Sequence, residues 1–263
     1  MSLKAFLLAL TLLTRIPLPS RLSCILYDDA DWSDVDRARA IRNLSSQFYP
    51  LIGIILGFIV MLVVLLGIAI PDLSIDIQAF IVLAMWVALS GALHLDGLAD
   101  CTDALFASHR NPQDMLRVMR EPTVGAMAVV VLCLTLLGKF ILIRDVIQQE
   151  LLVPFILAPC LARLGALVYM RLTPYVGSGL ANDLTHPRFD GVLVLQLVML
   201  TGCIVVLYSL LFALACAMVL AILLWWWRAK WLNVVGGFTG DCVGALIELS
   251  ELLLLAAMLS CAL

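Results

Sequence analysis

Long apolar runs separated by short polar segments dominate the chain. A helix needs about 20 apolar residues to cross the hydrocarbon core of a bilayer. Two spans are predicted within the run Val192–Trp227, which as one helix would extend about 54 Å, well beyond a core of about 30 Å. A turn near Tyr208 and Ser209 is expected to divide them. Runs of the length of one span predict five more, at Phe48–Ile70, Ile77–Leu93, Val124–Ile143, Leu151–Met170 and Gly244–Ala262.

The N-terminal segment differs from these runs because its apolar stretch is too short to cross a bilayer. Pro17 and Pro19 follow it and stop a helix. We therefore predict an interfacial or re-entrant helix at residues 2–16, and whether it spans, re-enters or lies on the membrane stays open. The expected fold class is all-α: a polytopic membrane helix bundle with about seven transmembrane helices plus this N-terminal helix, in a single domain over residues 1–263.

The composition agrees with a polytopic membrane protein that resides in a lipid bilayer. Hydrophobic residues make up 63% of the 263 residues and charged residues 13%, whereas a soluble domain has about 45–50% and about 25%. The formal net charge of -3 argues against nucleic-acid binding, which needs a basic face. The eight cysteines include no Cys-x-x-Cys pair and lie mostly in apolar runs, so structural disulfides are not expected.

Basic residues predict which side of the membrane each loop faces, because cytoplasmic loops carry an excess of Lys and Arg. With a cytoplasmic N-terminus, only Arg144 of the 16 Lys and Arg residues would lie in an outside loop, while Lys139 and Arg163 lie within spans. The loops 94–123, 171–191 and 228–243 would then all face the cytoplasm. They hold most of the unusual polar residues, so we expect the functional site on that side.

Three aspartates and a histidine directly follow a predicted span. Asp96, Asp100 and Asp103 are spaced i, i+4 and i+7, which puts them on one face of a helix. Three like charges on one face repel each other, and a divalent cation such as Mg²⁺ would neutralise them. His94 faces away from Asp96 on a continuous helix and is a candidate base, a helix-start residue or a packed side chain. A solvated amphipathic helix is the alternative for the whole segment.

A glycine-rich segment precedes the last predicted span. Gly237, Thr239 and Gly240 offer backbone N–H groups that can bind a phosphate at a helix start. Asp241 and Glu248 follow at i and i+7, on one helix face, where acids are costly unless paired, hydrated or bound to metal. The two acids are therefore candidate metal ligands, and tight helix packing by the small residues is the alternative.

Two arginines are candidate phosphate ligands. Arg120 lies in a loop, just before Pro122, which suits a helix start, and its guanidinium can hold a phosphate with two parallel hydrogen bonds. Arg163 lies inside a span and should face a partner or a watery cleft, with an acid of the two clusters as the candidate. Lys139 also lies inside a span. Its side chain either extends to the membrane surface or stays inside the bundle, and both interpretations remain open.

Taken in chain order, five segments resemble a known family, the cobalamin synthases, also called adenosylcobinamide-GDP ribazoletransferases. The resemblance covers nearly the whole chain, and its most specific parts are the His94–Asp103 segment and the glycine-rich Gly237–Asp241 segment. Glu121-Pro122-Thr123 departs from the family pattern, so position 123 carries no basic side chain for a phosphate, and residues 24–40 form a longer acidic insertion. The five segments are Leu13–Pro17, Tyr49–Gly53, His94–Asp103, Met119–Arg120 and Gly237–Asp241.

The resemblance implies an integral inner-membrane, Mg²⁺-dependent phosphotransferase of late coenzyme B12 biosynthesis. Such an enzyme joins adenosylcobinamide-GDP to α-ribazole or to its 5′-phosphate and releases GMP. A homo-oligomer, or an association with other late cobalamin-assembly enzymes, stays open. A CDP-alcohol-type phosphotransferase, whose aspartate spacing is similar, and a transporter that uses Asp96 and Arg163 as a buried couple are the alternatives.

The residues and the resemblance together define an expected site with three groups of side chains. The candidate catalytic residues are His94, Asp96, Asp100 and Asp103, with the histidine or one of the acids deprotonating the attacking hydroxyl. The candidate phosphate ligands are Arg120, Arg163, Gly237, Thr239 and Gly240. The candidate Mg²⁺ ligands are Asp96, Asp100, Asp103, Asp241 and Glu248.

Overall fold

A computed structural model of the chain describes residues 1–27, 32–107, 111–176 and 191–262. This part of the chain is helical, apart from turns and one isolated β-bridge between Tyr175 and Phe238. The expected all-α fold is therefore confirmed, while parts of the loops 94–123 and 171–191 lie outside the described residues. The helices are α1 Ser2–Leu13, α2 Ser20–Leu26, α3 Val35–Ser46, α4 Tyr49–Ile68, α5 Ile75–Ser90, α6 Leu93–Phe106, α7 Pro112–Val118, α8 Ala126–Gln148, α9 Pro154–Leu172, α10 Gly191–Leu207, α11 Leu210–Val235 and α12 Gly240–Ala262.

Five of these helices, α4, α8, α9, α11 and α12, are long and apolar enough to cross a membrane. α5 and α6 pass the same test only as a pair, and they are bent by 82° at their junction. α1 and α10 are apolar but shorter. The polytopic helical membrane fold is thus confirmed, and the count of seven spans stays a prediction because it requires α5 and α10 to cross as well.

The helix boundaries follow from local sequence signals. α10 ends at Leu207 and α11 begins at Leu210, so the predicted turn between two helices is confirmed. The Ser209 hydroxyl accepts a hydrogen bond from the Phe212 amide at 3.1 Å, which caps the start of α11. The prediction that Pro122 begins the next helix is wrong. An irregular segment follows Pro122, and α8 starts only at Ala126. All eight cysteines are free, as expected.

The most buried spanning helix, α9, lies at the centre of the bundle. It packs mainly against α4 and α12. In turn, α12 contacts α6, α8 and α11, so it connects the centre of the bundle with the helix that carries the three aspartates. The N-terminal α1 packs on α3 and the start of the bundle, and its apolar side chains are largely buried there. The arrangement of α6 and α12 positions the candidate site.

Candidate active site

The aspartates lie on α6, which leaves the end of α5 in a new direction. Gly91 and Ala92 have φ angles of 63° and 56°, a left-handed conformation that costs glycine little, and the chain bends by 82° there. Asp96, Asp100 and Asp103 then share one helix, as predicted. Asp96 is exposed and the other two are half-buried, so a ligand can reach their carboxylates.

The first turn of α12 packs directly against α6. Gly97 permits this approach, because a Cβ at its position would lie 2.7 Å from the carbonyl oxygen of Asp241, closer than real Cβ contacts allow. The half-buried carboxylate of Asp241 accepts a hydrogen bond from the Thr239 hydroxyl at 3.3 Å. Further along the turn, the Trp227 indole N–H donates to the Cys242 carbonyl at 2.9 Å and holds this end of α12 against α11.

Carboxylates from the two helices converge at this contact. The charges of Asp241, Asp96 and Asp103 all act on Asp100, and each disfavours a second negative charge there. The charge of Arg120 acts on Asp241 with the opposite sign. Because like charges from two packed helices repel, the contact favours a bound cation between them.

A polar cavity of about 150 Å³ adjoins one of these carboxylates, that of Asp241. Arg120, Tyr175, Thr239, Gly240 and Asp241 line it. A guanidinium, two hydroxyl groups and the start of a long helix are all groups that bind phosphate oxygens. The structure therefore brings together three of the predicted phosphate ligands, namely the arginine, the threonine and the second glycine.

The glycine-rich segment is held in place by the chain that follows α9. The Phe238 N–H donates to the Pro174 carbonyl at 2.9 Å, and the Val176 N–H donates to the Phe238 carbonyl at 3.0 Å. This pairing carries Tyr175 to the polar cavity. Gly237, a predicted phosphate ligand, is buried in the pairing, where a Cβ would meet the Pro174 carbonyl oxygen. Gly237 therefore packs against the chain that follows α9, and it is not among the residues that line the polar cavity.

Asp103 makes a structural contact besides any role in the site. Its carboxylate accepts a hydrogen bond from the Gly125 amide at 2.7 Å, which ties the end of α6 to the start of α8. The two residues are 22 positions apart, so neither motif predicted the bond. One carboxylate oxygen of Asp103 is thereby held by the backbone, whereas the Asp241 carboxylate accepts from the Thr239 side chain, which can rotate away.

The donor set of the site suits a hard cation such as Mg²⁺, which prefers oxygen ligands. Among the described residues, no three His, Cys, Asp or Glu side chains lie close enough together to hold a metal ion by themselves. Mg²⁺ is usually held through one or two carboxylates together with substrate phosphates and water. Asp96, Asp100 and Asp241 could supply such ligands without forming a complete cage.

Comparisons with known proteins place the chain among its relatives. A sequence model described as cobalamin-5-phosphate synthase matches residues 5–259. The chain belongs to the cobalamin-5-phosphate synthase family. It is 40% identical to the adenosylcobinamide-GDP ribazoletransferase of Stutzerimonas stutzeri (strain A1501) over 220 residues, which cover 82% of this chain and 87% of that protein. Proteins with the same name from Novosphingobium aromaticivorans and Pseudomonas aeruginosa are 33% and 34% identical, over 95% and 98% of this chain and 93% and 98% of their own lengths.

No solved structure matches the chain. The family resemblance seen in the five segments is confirmed, and the chain is a transferase of cobalamin biosynthesis. The two alternatives from other classes, a CDP-alcohol phosphotransferase and a transporter, find no support among these relatives.

In this member of the cobalamin-5-phosphate synthase family, two predicted site residues lie away from the aspartates. Lys139 Nζ lies 2.6 Å from Glu248 Oε1 and 2.7 Å from Glu251 Oε2, and Arg163 Nη1 lies 2.8 Å from Glu251 Oε1. All four side chains are buried. The acid that faces Arg163 is thus Glu251. The structure places both the proposed metal ligand Glu248 and the proposed phosphate ligand Arg163 in this ion-pair network, and neither lines the polar cavity.

Helix geometry explains why Glu248 is remote from the site. It shares a face of α12 with Asp241, as the spacing predicted, but seven residues of helix rise about 10.5 Å. The glutamate therefore lies two turns deeper in the bundle. Lys139 does not extend to the membrane surface, since it is 1% exposed and its ammonium lies 4.9 Å from the centre of the Trp86 ring.

His94 is separated from the acids by the width of α6. It is 4% exposed, whereas Asp96 is exposed. Its ring lines a second cavity together with Tyr49 and Tyr175. The structure therefore does not bring this candidate base to the carboxylates, which agrees with the expectation that it faces away from Asp96.

Tyr175 is a residue of the polar cavity that sequence reasoning missed. Burial raises the pKa of its phenol, the charge of Asp241 raises it further, and the charge of Arg120 opposes this rise. The sequence signal was weak, because Tyr175 follows Thr173 and Pro174 in a segment with ordinary turn composition. An aromatic residue directly after Pro174, just beyond the end of a predicted span, was the available clue.

Proposed function

We propose that the chain transfers an adenosylcobinamide phosphate group from adenosylcobinamide-GDP to α-ribazole or its 5′-phosphate, releasing GMP, with Mg²⁺ as cofactor. The names of its relatives give the donor, the acceptor class and the reaction type. The observation that carries the proposal is the convergence of Asp96, Asp100 and Asp241 beside a cavity that contains Arg120. Such a site suits a diphosphate and a divalent cation.

In this proposal the diphosphate of the donor occupies the polar cavity. Arg120 binds its oxygens through two parallel hydrogen bonds, and the Thr239 hydroxyl, which donates to Asp241 in the free protein, rotates to donate another. One or two of the carboxylates of Asp96, Asp100 and Asp241, together with diphosphate oxygens and water, would hold Mg²⁺, which would neutralise charge and polarise the phosphoryl group. The Tyr175 hydroxyl orients the same phosphate, because Tyr175 also lines the cavity.

The proposed transfer forms one phosphorus–oxygen bond and breaks another. A ribose hydroxyl oxygen of the acceptor attacks the phosphorus on the cobinamide side of the diphosphate, in line with the bridging oxygen. The bond from that phosphorus to the bridging oxygen breaks, and GMP leaves with the electron pair. The hydroxyl proton passes to a carboxylate of the site, because His94 faces the other cavity.

We further propose that the enzyme resides in the cell inner membrane with its N-terminus and the site on the cytoplasmic side. The distribution of Lys and Arg supports this orientation. Alkaline phosphatase fused after residue 107 should be inactive, whereas a fusion after Leu263 should be active if seven helices span the membrane. The reverse activities would contradict the orientation.

One assay on the purified full-length protein in nanodiscs tests the function. With adenosylcobinamide-GDP, either form of ribazole and Mg²⁺, we expect GMP and a joined cobalamin product in equal amounts. EDTA should stop the reaction, and added Mg²⁺ should restore it. CDP-diacylglycerol as donor should give no CMP. Release of CMP, or unchanged GMP release in EDTA, would contradict the donor or the cofactor assignment, respectively.

A further inference from the structure

A second cavity, of about 270 Å³, lies among α1, α4, α6, α9 and α12. Much of its wall is apolar, with Leu12, Val243 and Ile247 among the side chains. Tyr175 and Gly240 line both this cavity and the polar cavity. A molecule bound across that boundary would place a polar part beside the carboxylates and an apolar part beneath α1.

The wall also contains a buried polar side chain that has no hydrogen-bond partner among the described residues. Neither ring nitrogen of His94 has a hydrogen-bond partner in the described part of the chain, although the residue is 4% exposed. A buried donor without a partner is costly, so the cavity favours a ligand that accepts a hydrogen bond from the imidazole. The rings of Tyr49 and Tyr175 in the same wall offer faces for a flat aromatic group.

We propose that this cavity binds the azole heterocycle of the acceptor nucleoside, and that an N–H of His94 donates a hydrogen bond to the heterocycle. The inference rests on the proposed function and names the place of its second substrate. A ribazole joins a ribose to a flat azole ring system, so the ring fills the apolar cavity while the ribose hydroxyl points past Tyr175 toward the carboxylates. Sites for complete drug-sized ligands measure about 300–1,000 Å³, so a cavity of about 270 Å³ suits a small flat ring system better than the corrinoid macrocycle of the donor.

α1 provides a matched pair of substitutions that tests the occupant. Leu12 is half-buried in the cavity wall, so Leu12→Trp fills the space, whereas Leu3 lies on the same helix with 48% exposure and away from the cavity. For Leu12→Trp we expect the KM for α-ribazole to rise about tenfold or more, as for the loss of a pocket for an apolar group. The KM for adenosylcobinamide-GDP should stay unchanged, and Leu3→Trp should resemble the wild type in both.

Free benzimidazole serves as a probe of the cavity without the ribose. It should inhibit the wild-type enzyme competitively against α-ribazole and noncompetitively against the donor, and Leu12→Trp should remove this inhibition. Competition with the donor, or inhibition that survives Leu12→Trp, would overturn the assignment. If the wild-type enzyme released no GMP with any ribazole, the proposed function would fail instead, and this outcome is distinct from a failure of the cavity assignment.

Substitutions of His94 separate the hydrogen bond from packing. His94→Gln keeps a donor of similar length and should retain much of the acceptor affinity, whereas His94→Leu should raise the KM for α-ribazole without changing that for the donor. Binding of benzimidazole by calorimetry, in the folded protein, should weaken in the same order. Equal acceptor KM values for His94→Leu and the wild type would contradict the contact.

Discussion

The backbone of Asp241 lies against Gly97, so that a Cβ on Gly97 would come 2.7 Å from the Asp241 carbonyl oxygen. The two residues are far apart in the sequence, and each belongs to a different candidate motif. Their contact joins α6 to the start of α12 and thereby makes one site out of the two motifs. The distance between the carboxylates of Asp100 and Asp241 therefore depends on a position that has no side chain.

Gly97→Ala should separate the two helices at the site. The added methyl group meets the backbone of α12, which cannot move aside as a flexible side chain can, so we expect turnover to fall about 100-fold, as for misplacement of catalytic groups by about 1 Å. Gly202→Ala on α10 is the matched control, because a Cβ there meets nothing within 4 Å. Equal turnover in both variants would show that this contact does not set the geometry of the site.

The sequence predicted the aspartate helix and its membrane setting because both depend on local periodicity. The spacing of Asp96, Asp100 and Asp103 puts them on one helix face whatever the rest of the chain does. The role of Glu248 could not be obtained in this way. Its distance from Asp241 along α12 was computable, but the Lys139 ammonium that binds it comes from a helix more than 100 residues earlier, and periodicity carries no information about such a partner.

Asp100→Asn should remove turnover and leave the fold intact. The carboxylate lies among like charges, so its loss relieves repulsion in the folded protein while it deprives a cation of a ligand. We expect kcat to fall about 100- to 1,000-fold, as for the loss of one electrostatic contact to a transition state. Asp114→Asn on α7 is the control, because among the described residues Asp114 makes a solvent-exposed ion pair with Arg117. GMP release at saturating Mg²⁺ measures both, and wild-type turnover in Asp100→Asn would remove this residue from the site.

Arg120→Ala should weaken binding of the donor diphosphate. Arg120 lines the polar cavity, whereas Arg117 on the preceding turn is 65% exposed and pairs with Asp114. We expect the KM for adenosylcobinamide-GDP to rise at least about tenfold for Arg120→Ala, since a charged hydrogen bond contributes about 1.5–3 kcal/mol, and to stay near the wild-type value for Arg117→Ala. Initial rates at varied donor concentration measure the difference. A change of equal size in both variants would indicate a general loss of positive charge.

Glu251→Gln should destabilise the protein much more than Asp76→Asn, although both remove one acid from a short ion pair. Glu251 contacts Lys139 at 2.7 Å and Arg163 at 2.8 Å with all three side chains buried, whereas Asp76 contacts Arg144 at 2.7 Å with side chains 61% and 40% exposed. Removing an acid from a buried pair leaves the buried cations uncompensated, which costs about 3–5 kcal/mol, while an exposed pair contributes about 0–1 kcal/mol. Unfolding by SDS in mixed micelles measures both free energies.

The Mg²⁺ concentration for half-maximal turnover should not change in the Glu251→Gln protein that remains folded, because its network stabilises the bundle without reaching the polar cavity. A shifted Mg²⁺ requirement with unchanged stability would instead show that the ion-pair network takes part in the active site.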